Sequence, residues 1–158
     1  MTDKVKKKYE GYVGKKDLFQ SVDFKSHSGL DLTWKIECDV LTDSEWSSIC
    51  KMILELSPPF REAVGIPRGG VKLANLLNEH ASQDAGDPIC IVDDVLTTGE
   101  SMEQFLSEYQ KKYRTKLGGF TAIGWVVFAR IQPPSWVTAL FQMPKKWADN
   151  PNSPEYYD

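Results

Sequence analysis

The chain has 158 residues, which is the length of a single domain and enough to bury a sizeable core. Hydrophobic residues make up 41% and charged residues 26% of it, proportions typical of soluble globular proteins. The net charge of −3 gives no electrostatic case for nucleic-acid binding, and no apolar run is long enough to span a membrane.

The amino-terminal part divides into an arm and a short β region. Residues 1–17 are polar and rich in lysine and lack the hydrophobic segment of a secretory signal, so we expect a mobile basic arm. Short segments in which apolar and polar residues alternate come next, and the segment from Asp31 to Cys38 is predicted to be a strand. The core of the predicted sheet lies later in the chain. The amino-terminal part, mainly residues 18–40, would therefore have to form a hood that caps a ligand site on that sheet.

Helices and strands alternate from residue 42 onward. A capping box at 42–45 starts a helix with Trp46, Ile49 and Ile53 on one face. The later predicted elements are a strand at 62–66, a helix at 71–77, a strand at 89–92, a helix at 102–113, a strand at 120–129 and a last strand at 136–141. The composition from residue 145 to residue 158 predicts a loose tail.

This alternation predicts an α/β fold, with a central parallel sheet flanked by helices on both faces. We expect one domain over residues 18–144, with its core at about 60–131. Ligands of such folds bind at the carboxyl ends of the strands. The loops that follow the strands at 62–66 and 89–92 are therefore the first places to look for a site.

The stretch from Ile89 to Ser101 combines three features that suit a phosphate ligand. An apolar strand leads to Asp93 and Asp94, where the strand is expected to leave the sheet. Hydroxyl residues around Gly99 then precede a helix, whose free N–H groups and positive dipole end favour an anion. The candidate anion-binding residues are Val95, Leu96, Thr97, Thr98, Gly99, Glu100 and Ser101. The two acids suit sugar hydroxyls, a Mg²⁺ shell or a developing cation.

Two plainer interpretations of this stretch remain open on the residues alone. A buried strand can end in a solvated acidic turn that has no ligand. Alternatively, the acids can belong to the metal-binding strand of a nucleotide hydrolase, which also needs a Gly-x4-Gly-Lys-Ser/Thr loop, and this sequence contains none.

The other strand-to-helix turn also has the composition of an anion site. Its glycines allow consecutive N–H groups to face one ligand, and its arginine offers a planar fork to phosphate oxygens. The residues are Pro67, Arg68, Gly69 and Gly70, with Lys72 one position into the helix. For an isolated motif, a tight turn with one exposed arginine is the simpler interpretation.

Together the two loops resemble those of the type I phosphoribosyltransferases. The apolar strand, two acids, two apolar residues and Thr-Thr-Gly-x-Ser are similar to the ribose-5-phosphate signature of that family, and 67–70 is similar to its pyrophosphate loop. The resemblance implies the fold of that family. It also implies 5-phosphoribosyl 1-pyrophosphate and a base or nucleotide as ligands, Mg²⁺ as cofactor, and Asp93 and Asp94 as catalytic residues that hold the metal directly or through water.

Within the family, the amino-terminal part looks most like the orotate phosphoribosyltransferases. The segment 24–29 is similar to their Phe-x-x-Lys-Ser-Gly, which places Lys25 and His27 on the base side. Arg130 follows a long apolar strand and resembles the arginine with which these enzymes meet the acidic base. The resemblance implies a role in nucleotide metabolism, with pyrimidine biosynthesis as the first candidate, and it is compatible with a homodimer.

One departure from the orotate enzymes bears on activity. They carry a long basic loop between the pyrophosphate-loop helix and the signature strand, and that loop closes over the reacting centre. Here the span is only 78–88 and contains no lysine or arginine. A regulatory module that binds 5-phosphoribosyl 1-pyrophosphate without transferring it is therefore the second hypothesis.

The three cysteines have no disulfide or metal spacing, which suggests reduced thiols in the cytoplasm.

Overall fold

The structure, a computed structural model, describes residues 17–25, 31–113 and 120–143. It contains a two-stranded antiparallel hairpin and a four-stranded parallel sheet flanked by helices. The elements in chain order are β1 (Phe19–Lys25), β2 (Asp31–Ile36), a 3₁₀ turn (Cys38–Val40), α1 (Asp43–Leu56), β3 (Glu62–Gly65), α2 (Val71–Asn78), β4 (Ile89–Leu96), α3 (Glu100–Tyr113), β5 (Ala122–Ala129) and β6 (Val137–Gln142). The predicted α/β fold is confirmed.

The parallel sheet is buried on both faces because helices cover each of them. Its strand order is β3-β4-β5-β6. Cys90 and Val92 of β4 pack with α1 and α2, and Ile89 and Ile91 pack with α3 on the other face. A strand buried on both faces needs an unbroken apolar run, which is what residues 89–92 supply. No helix in the described part of the chain is long and apolar enough to cross a membrane.

The two helical crossovers have opposite hands. The connections β3–α2–β4 and β4–α3–β5 advance in the same direction across the sheet, but α2 and α3 lie on opposite faces. Crossovers between parallel strands are right-handed in nearly all folds, so one of these two is an exception. Residues 79–88, which follow α2, pack against residues 60 and 61 at the amino end of β3. This span therefore lies at the edge of the sheet opposite the strand ends that carry the two loops.

The Asn78 side chain covers the free edge of β3. Its amide donates to the carbonyl oxygen of Ala63 and accepts from the N–H of Ala63, both at 2.7 Å. Among the described strands β3 pairs only with β4, so Asn78 supplies hydrogen bonds that a further strand would otherwise make. Ala63 is buried, and water cannot easily replace this partner.

We predict that Asn78→Ala lowers the free energy of unfolding by about 1–3 kcal/mol, because two buried backbone groups lose their partner. Urea denaturation measures the change. Asn75→Ala, at an exposed position of the same helix, is the control and should change stability by less than about 0.5 kcal/mol. Equal effects of the two substitutions would contradict this role for Asn78.

The hood hairpin, β1 with β2, rests on the carboxyl side of the sheet through aromatic contacts. Phe19 packs on Trp34 and on Phe128 of β5, with ring centroids 6.2 Å apart in both pairs. The N–H of Glu37 donates to the carbonyl oxygen of Leu18 at 2.7 Å and closes the base of the hairpin. The predicted strand from Asp31 to Cys38 ends at Ile36, because Cys38–Val40 turns into the 3₁₀ segment that leads to α1.

Other predictions fall outside the described residues or need correction. The arm at 1–17, except for Asp17, and the tail at 145–158 lie outside them. The prediction that β4 stops before the acids was wrong. The strand runs to Leu96, because Asp93, Val95 and Leu96 still pair with β5.

Candidate functional site

A cavity of about 490 Å³ opens at the carboxyl ends of the parallel strands, beneath the hood. This volume is in the range of small-molecule sites. Four parts of the chain form its walls: the end of β2, the loop after β3, the segment from the end of β4 into α3, and the end of β5. The lining residues are Lys35, Ile36, Ile66, Pro67, Arg68, Gly69, 93–102, Gln104 and Arg130.

The segment after β4, which we call the phosphate loop (residues 95–101), lines this cavity along its whole length. Gly99 has a φ of 84°, a conformation that side chains other than glycine rarely adopt. This turn lets α3 begin at Glu100, with its free N–H groups at the cavity wall. The Glu100 side chain is largely exposed. The positive end of a 14-residue helix therefore faces the cavity, as the sequence predicted.

The loop after β3, which we call the second loop (residues 66–70), lies directly on β4. The N–H of Ile66 donates to the carbonyl oxygen of Val92, and the N–H of Gly70 donates to that of Ile66, both at 2.9 Å. A Cβ atom at Gly70 would come closer than 3.0 Å to the Val92 oxygen, so this approach requires glycine. The Pro67–Arg68 peptide bond is cis, and the Arg68 side chain is exposed at the cavity rim.

Gly69 and Asp94 bring the two loops together. A Cβ atom at Gly69 would lie closer than 3.0 Å to the carboxyl carbon and both oxygens of Asp94. The Asp94 carboxylate therefore rests against the backbone of the second loop, while the Asp94 backbone leads into the phosphate loop. The two predicted loops share one cavity, and the paired acids lie between them.

Lys72, which the sequence placed with the second loop, does not line this cavity. Its ammonium forms an ion pair with Asp43 at the start of α1, beside a shallow surface depression along α2. A helical position two residues after Gly70 turns the side chain toward the neighbouring helix, and the loop spacing alone could not show this.

Asp93 lies in surroundings that disfavour its charged form. Burial raises the pKa of Asp93 to about 8, and the neighbouring Asp94 carboxylate adds to the rise. The Asp93 carboxylate oxygen accepts from the N–H of Asp94 at 2.9 Å, and the Asp94 oxygen accepts from the N–H of Val95 at 2.7 Å. A cation bound beside these two acids would offset the repulsion between their carboxylates, and the hydroxyls of a sugar could donate hydrogen bonds to their oxygens.

We predict that ionisation of Asp93 makes the unliganded protein less stable as the pH rises. Its folded pKa of about 8 lies above the usual value of about 3.9, so between these values the folded state binds more protons than the unfolded state. The free energy of unfolding should therefore fall from about pH 4 to about pH 8, and Asp93→Asn should remove this part of the slope.

Urea denaturation from pH 4 to pH 9 with EDTA measures both proteins. The stability of Asp93→Asn relative to wild type should increase with pH across that window. Asp84→Asn, at an exposed position in the loop before β4, is the control for the loss of one carboxyl group. Parallel curves for Asp93→Asn and wild type would show that Asp93 ionises equally in both states.

Arg130, predicted to meet the base, lies at the cavity but is 3% exposed. Its guanidinium carbon is 3.6 Å from the centre of the Trp34 ring, and its Nη1 donates to the Trp34 carbonyl oxygen at 2.8 Å. Its backbone N–H donates to the carbonyl oxygen of Leu96 at 2.9 Å. Burial lowers the pKa of Arg130 to about 10, which still leaves it protonated at neutral pH. This arginine therefore joins the hood to the root of the phosphate loop.

The other base-side residues are not described in the same detail. His27 lies outside the described residues, and Lys25 ends β1 with no described side chain. Sequence reasoning missed Lys35, whose side chain lines the cavity from the hood. The predicted strand from residue 31 contained it, but only the packing of Trp34 on Arg130 shows which part of that strand meets the site.

Comparison with models of protein families gives no match. Comparison with curated protein sequences gives none either. The solved structures, by contrast, include several phosphoribosyltransferases of similar shape. The orotate phosphoribosyltransferase of Aeropyrum pernix has a TM-score of 0.56 at 19% identity, over 79% of this chain and 88% of that one. That of Francisella tularensis has a TM-score of 0.53 at 11% identity, over 79% of this chain and 80% of that one.

The UMP synthase of Leishmania donovani is also similar, with a TM-score of 0.57 at 15% identity over 80% of this chain. The present chain spans only 33% of that longer protein. Identities this low establish a shared architecture and leave substrates open. The chain has the type I phosphoribosyltransferase fold, with the phosphate loop and the second loop at the strand ends where its sequence motifs predicted them.

Proposed function

We propose that the protein is a Mg²⁺-dependent phosphoribosyltransferase that transfers ribose 5-phosphate from 5-phosphoribosyl 1-pyrophosphate to a nitrogenous base, orotate being the first candidate. The observation that carries this proposal is the contact of Asp94 with Gly69. This contact brings the two loops that are predicted to bind anions to either side of one pair of acids in a single cavity. A pentose with a phosphate at one end and a pyrophosphate at the other fits that arrangement.

Each loop would bind one end of the donor. The N–H groups at the start of α3, with the hydroxyls of Thr97, Thr98 and Ser101, would hold the 5-phosphate. Arg68 and the N–H groups of the second loop would hold the pyrophosphate. The described lining of the cavity contains no cysteine, and no histidine that could activate a hydroxyl, so catalysis would rest on positioning and electrostatics.

In the transfer step, the bond from ribose C1 to the pyrophosphate oxygen breaks and its electron pair leaves with the pyrophosphate. A ring nitrogen of the base forms the new bond to C1 and gives up its proton to water or to the leaving pyrophosphate. Asp93 and Asp94 would hold the ribose hydroxyls, and their carboxylates would stabilise the positive charge that develops on the sugar once a bound cation favours the ionised form of Asp93. Their position between the two loops suits this role, because the ribose lies between the two anionic groups of the donor.

The same two carboxylates fit Mg²⁺. This ion takes oxygen ligands and commonly binds through one or two carboxylates together with phosphate oxygens and water. In the described part of the chain no cluster of three or more metal-binding side chains exists, so the donor's own oxygens would have to complete the shell. When bound, Mg²⁺ would neutralise the charge of the leaving pyrophosphate.

A second function is favoured by the position of residues 79–88. This span packs at the amino end of β3 and cannot cover the cavity at the opposite edge. A regulatory module that binds 5-phosphoribosyl 1-pyrophosphate without transferring it would need no cover against water.

The cytoplasm is the proposed location for either function, and the buried free thiols Cys38, Cys50 and Cys90 suit its reducing conditions. A homodimer is proposed from the family alone.

Two measurements test the proposal together. Calorimetry with 5-phosphoribosyl 1-pyrophosphate, with and without Mg²⁺, should show binding that strengthens with the ion. Release of pyrophosphate, measured over a panel of purine and pyrimidine bases, should require a base. Binding without release for any base would support the regulatory module. Release of phosphate or pyrophosphate without a base would show a hydrolase and overturn both functions.

A further inference from the structure

We infer that Trp136 is a positioning residue for the phosphate loop, because its hydrogen bond to Glu103 holds the start of α3 in the orientation that binds a sugar phosphate. This inference rests on the role given to the phosphate loop in the proposed function, and it applies equally to a transferase and to a regulatory module. It is carried by one hydrogen bond between distant parts of the chain and by the packing around that bond.

The connection from β5 to β6, residues 130–136, contacts both ends of the phosphate loop. At its start, the N–H of Arg130 donates to the carbonyl oxygen of Leu96 at 2.9 Å. At its end, the indole N–H of Trp136 donates to a carboxylate oxygen of Glu103 at 2.9 Å, across 33 positions of sequence. One segment of the chain therefore fixes the phosphate loop on both sides.

The contact with Glu103 reaches the N–H groups that would bind the 5-phosphate. The N–H of Glu103 donates to the carbonyl oxygen of Gly99 at 3.1 Å, and Gly99 is the turn residue with a φ of 84°. Pro134 lies beside the same turn, with its Cγ 4.0 Å from the place that a Cβ atom of Gly99 would take. A displacement of Glu103 would therefore change the direction of the free N–H groups at the start of α3.

The Trp136 ring is held by the sheet. Its backbone carbonyl oxygen accepts from the N–H of Gly124 in β5 at 2.8 Å. A Cβ atom at Gly124 would lie closer than 3.0 Å to the Trp136 ring and to the end of the Met102 side chain, so both pack against this glycine. Met102 is 1% exposed and belongs to the cavity lining. The indole N–H therefore has a position set by β5, and the start of α3 is oriented against it.

The charge of Glu103 makes a purely electrostatic role in phosphate binding unfavourable. A carboxylate in the first turn of α3 repels an anion held at the start of that helix. Glu103 is exposed and Trp136 is half-buried, so their hydrogen bond is not a major part of the core. Orientation of the loop is the effect that this contact can supply.

Ribose 5-phosphate and inorganic pyrophosphate are matched probes, because the first would occupy the phosphate loop and the second would occupy the second loop. Calorimetry with Mg²⁺ measures the binding of each. Trp136→Phe keeps an aromatic ring without the indole N–H, and it should weaken the binding of ribose 5-phosphate by roughly 3–10-fold, the effect of one hydrogen bond. The affinity for pyrophosphate should change by less than about twofold.

Two substitutions of Glu103 separate the hydrogen bond from the charge. Glu103→Ala removes the acceptor and should weaken the binding of ribose 5-phosphate as Trp136→Phe does, although loss of the charge alone would strengthen it. Glu103→Gln keeps an acceptor oxygen without the charge, so it should bind ribose 5-phosphate at least as tightly as wild type. Glu108→Ala, at an exposed position farther along α3, is the control and should match wild type.

The double variant of Trp136→Phe with Glu103→Ala tests whether the two residues act through one contact. It should bind ribose 5-phosphate about as well as either single variant, because both substitutions remove the same hydrogen bond. Thermal melting shows whether each variant folds. If Trp136→Phe does not fold, the two variants of Glu103 decide the question.

The outcomes separate this inference from the proposed function. Unchanged binding of ribose 5-phosphate in Glu103→Ala, or equal weakening in Glu103→Ala and Glu103→Gln, overturns the role of the hydrogen bond while the proposed function stands. Additive losses in the double variant, or equal weakening of both probes by Trp136→Phe, overturn it as well. If wild type binds neither ribose 5-phosphate nor 5-phosphoribosyl 1-pyrophosphate, the proposed function and this inference both fall.

Discussion

Asp94→Asn should lower the rate of pyrophosphate release by roughly 100–1,000-fold while the affinity for the donor changes little. The substitution removes one negative charge beside the ribose and keeps nearly the same shape. Loss of one group that stabilises charge in the transition state typically has an effect of this size on kcat. The donor itself carries no positive charge on the sugar before the reaction begins, so its binding should depend less on Asp94.

Thr97→Ala gives the comparison within the same site. It removes one neutral hydroxyl among several donors of the phosphate loop. It should lower kcat/KM for pyrophosphate release by roughly tenfold or less, mainly by raising the KM for the donor. Asp84→Asn, far from the cavity in the loop before β4, controls for the change of charge. Equal and mild losses in Asp94→Asn and Thr97→Ala would argue against an electrostatic role for the acids.

Gly69→Ala should abolish most of the activity through a single methyl group. The new Cβ would lie closer than 3.0 Å to three atoms of the Asp94 carboxylate, so the carboxylate or the second loop must move. A displacement of about 1 Å in a catalytic group can cost roughly 100-fold in rate. We expect pyrophosphate release to fall at least that far, with a protein that still unfolds cooperatively.

Gly86→Ala is the matched control, because the nearest atom to its added Cβ lies 3.4 Å away in a polar loop. A double variant tests whether the contact itself causes the loss. If Gly69→Ala acts by displacing Asp94, adding it to Asp94→Asn should cost much less than it does in wild type. Full additivity of the two losses would place the effect of Gly69→Ala elsewhere in the second loop.

The main elements of this fold could be predicted because their signals are local. The capping box at 42–45 forms as expected, with Thr42 and Glu45 exchanging hydrogen bonds of 2.8 and 3.2 Å. The apolar run at 89–92 and the spacing of Met102 with Phe105 define β4 and α3. In each case the apolar residues that form the sequence pattern are also the residues that pack in the core, so their periodicity was sufficient to predict the element.

Features that depend on which segments become neighbours could not be predicted in the same way. The extension of β4 through the acids requires β5 beside it, and the ion pair of Lys72 with Asp43 requires α1 beside α2. The place of Lys35 in the cavity depends on how the hood sits on the sheet, which a strand pattern does not specify. The roles assigned to the two loops remain predictions, although the structure brings the loops together.

The attachment of the hood through Arg130 changes how a substitution there should be interpreted. The guanidinium of this residue binds Trp34 and its backbone N–H binds Leu96. Replacing the side chain would therefore detach the hood hairpin and leave the hydrogen bond to the parallel sheet intact. A displaced hood would weaken binding of the acceptor even if the arginine never contacted the substrate. Hydrogen exchange of the amides in 31–36, compared with those of β4, would separate displacement of the hood from loss of a direct contact between Arg130 and the acceptor.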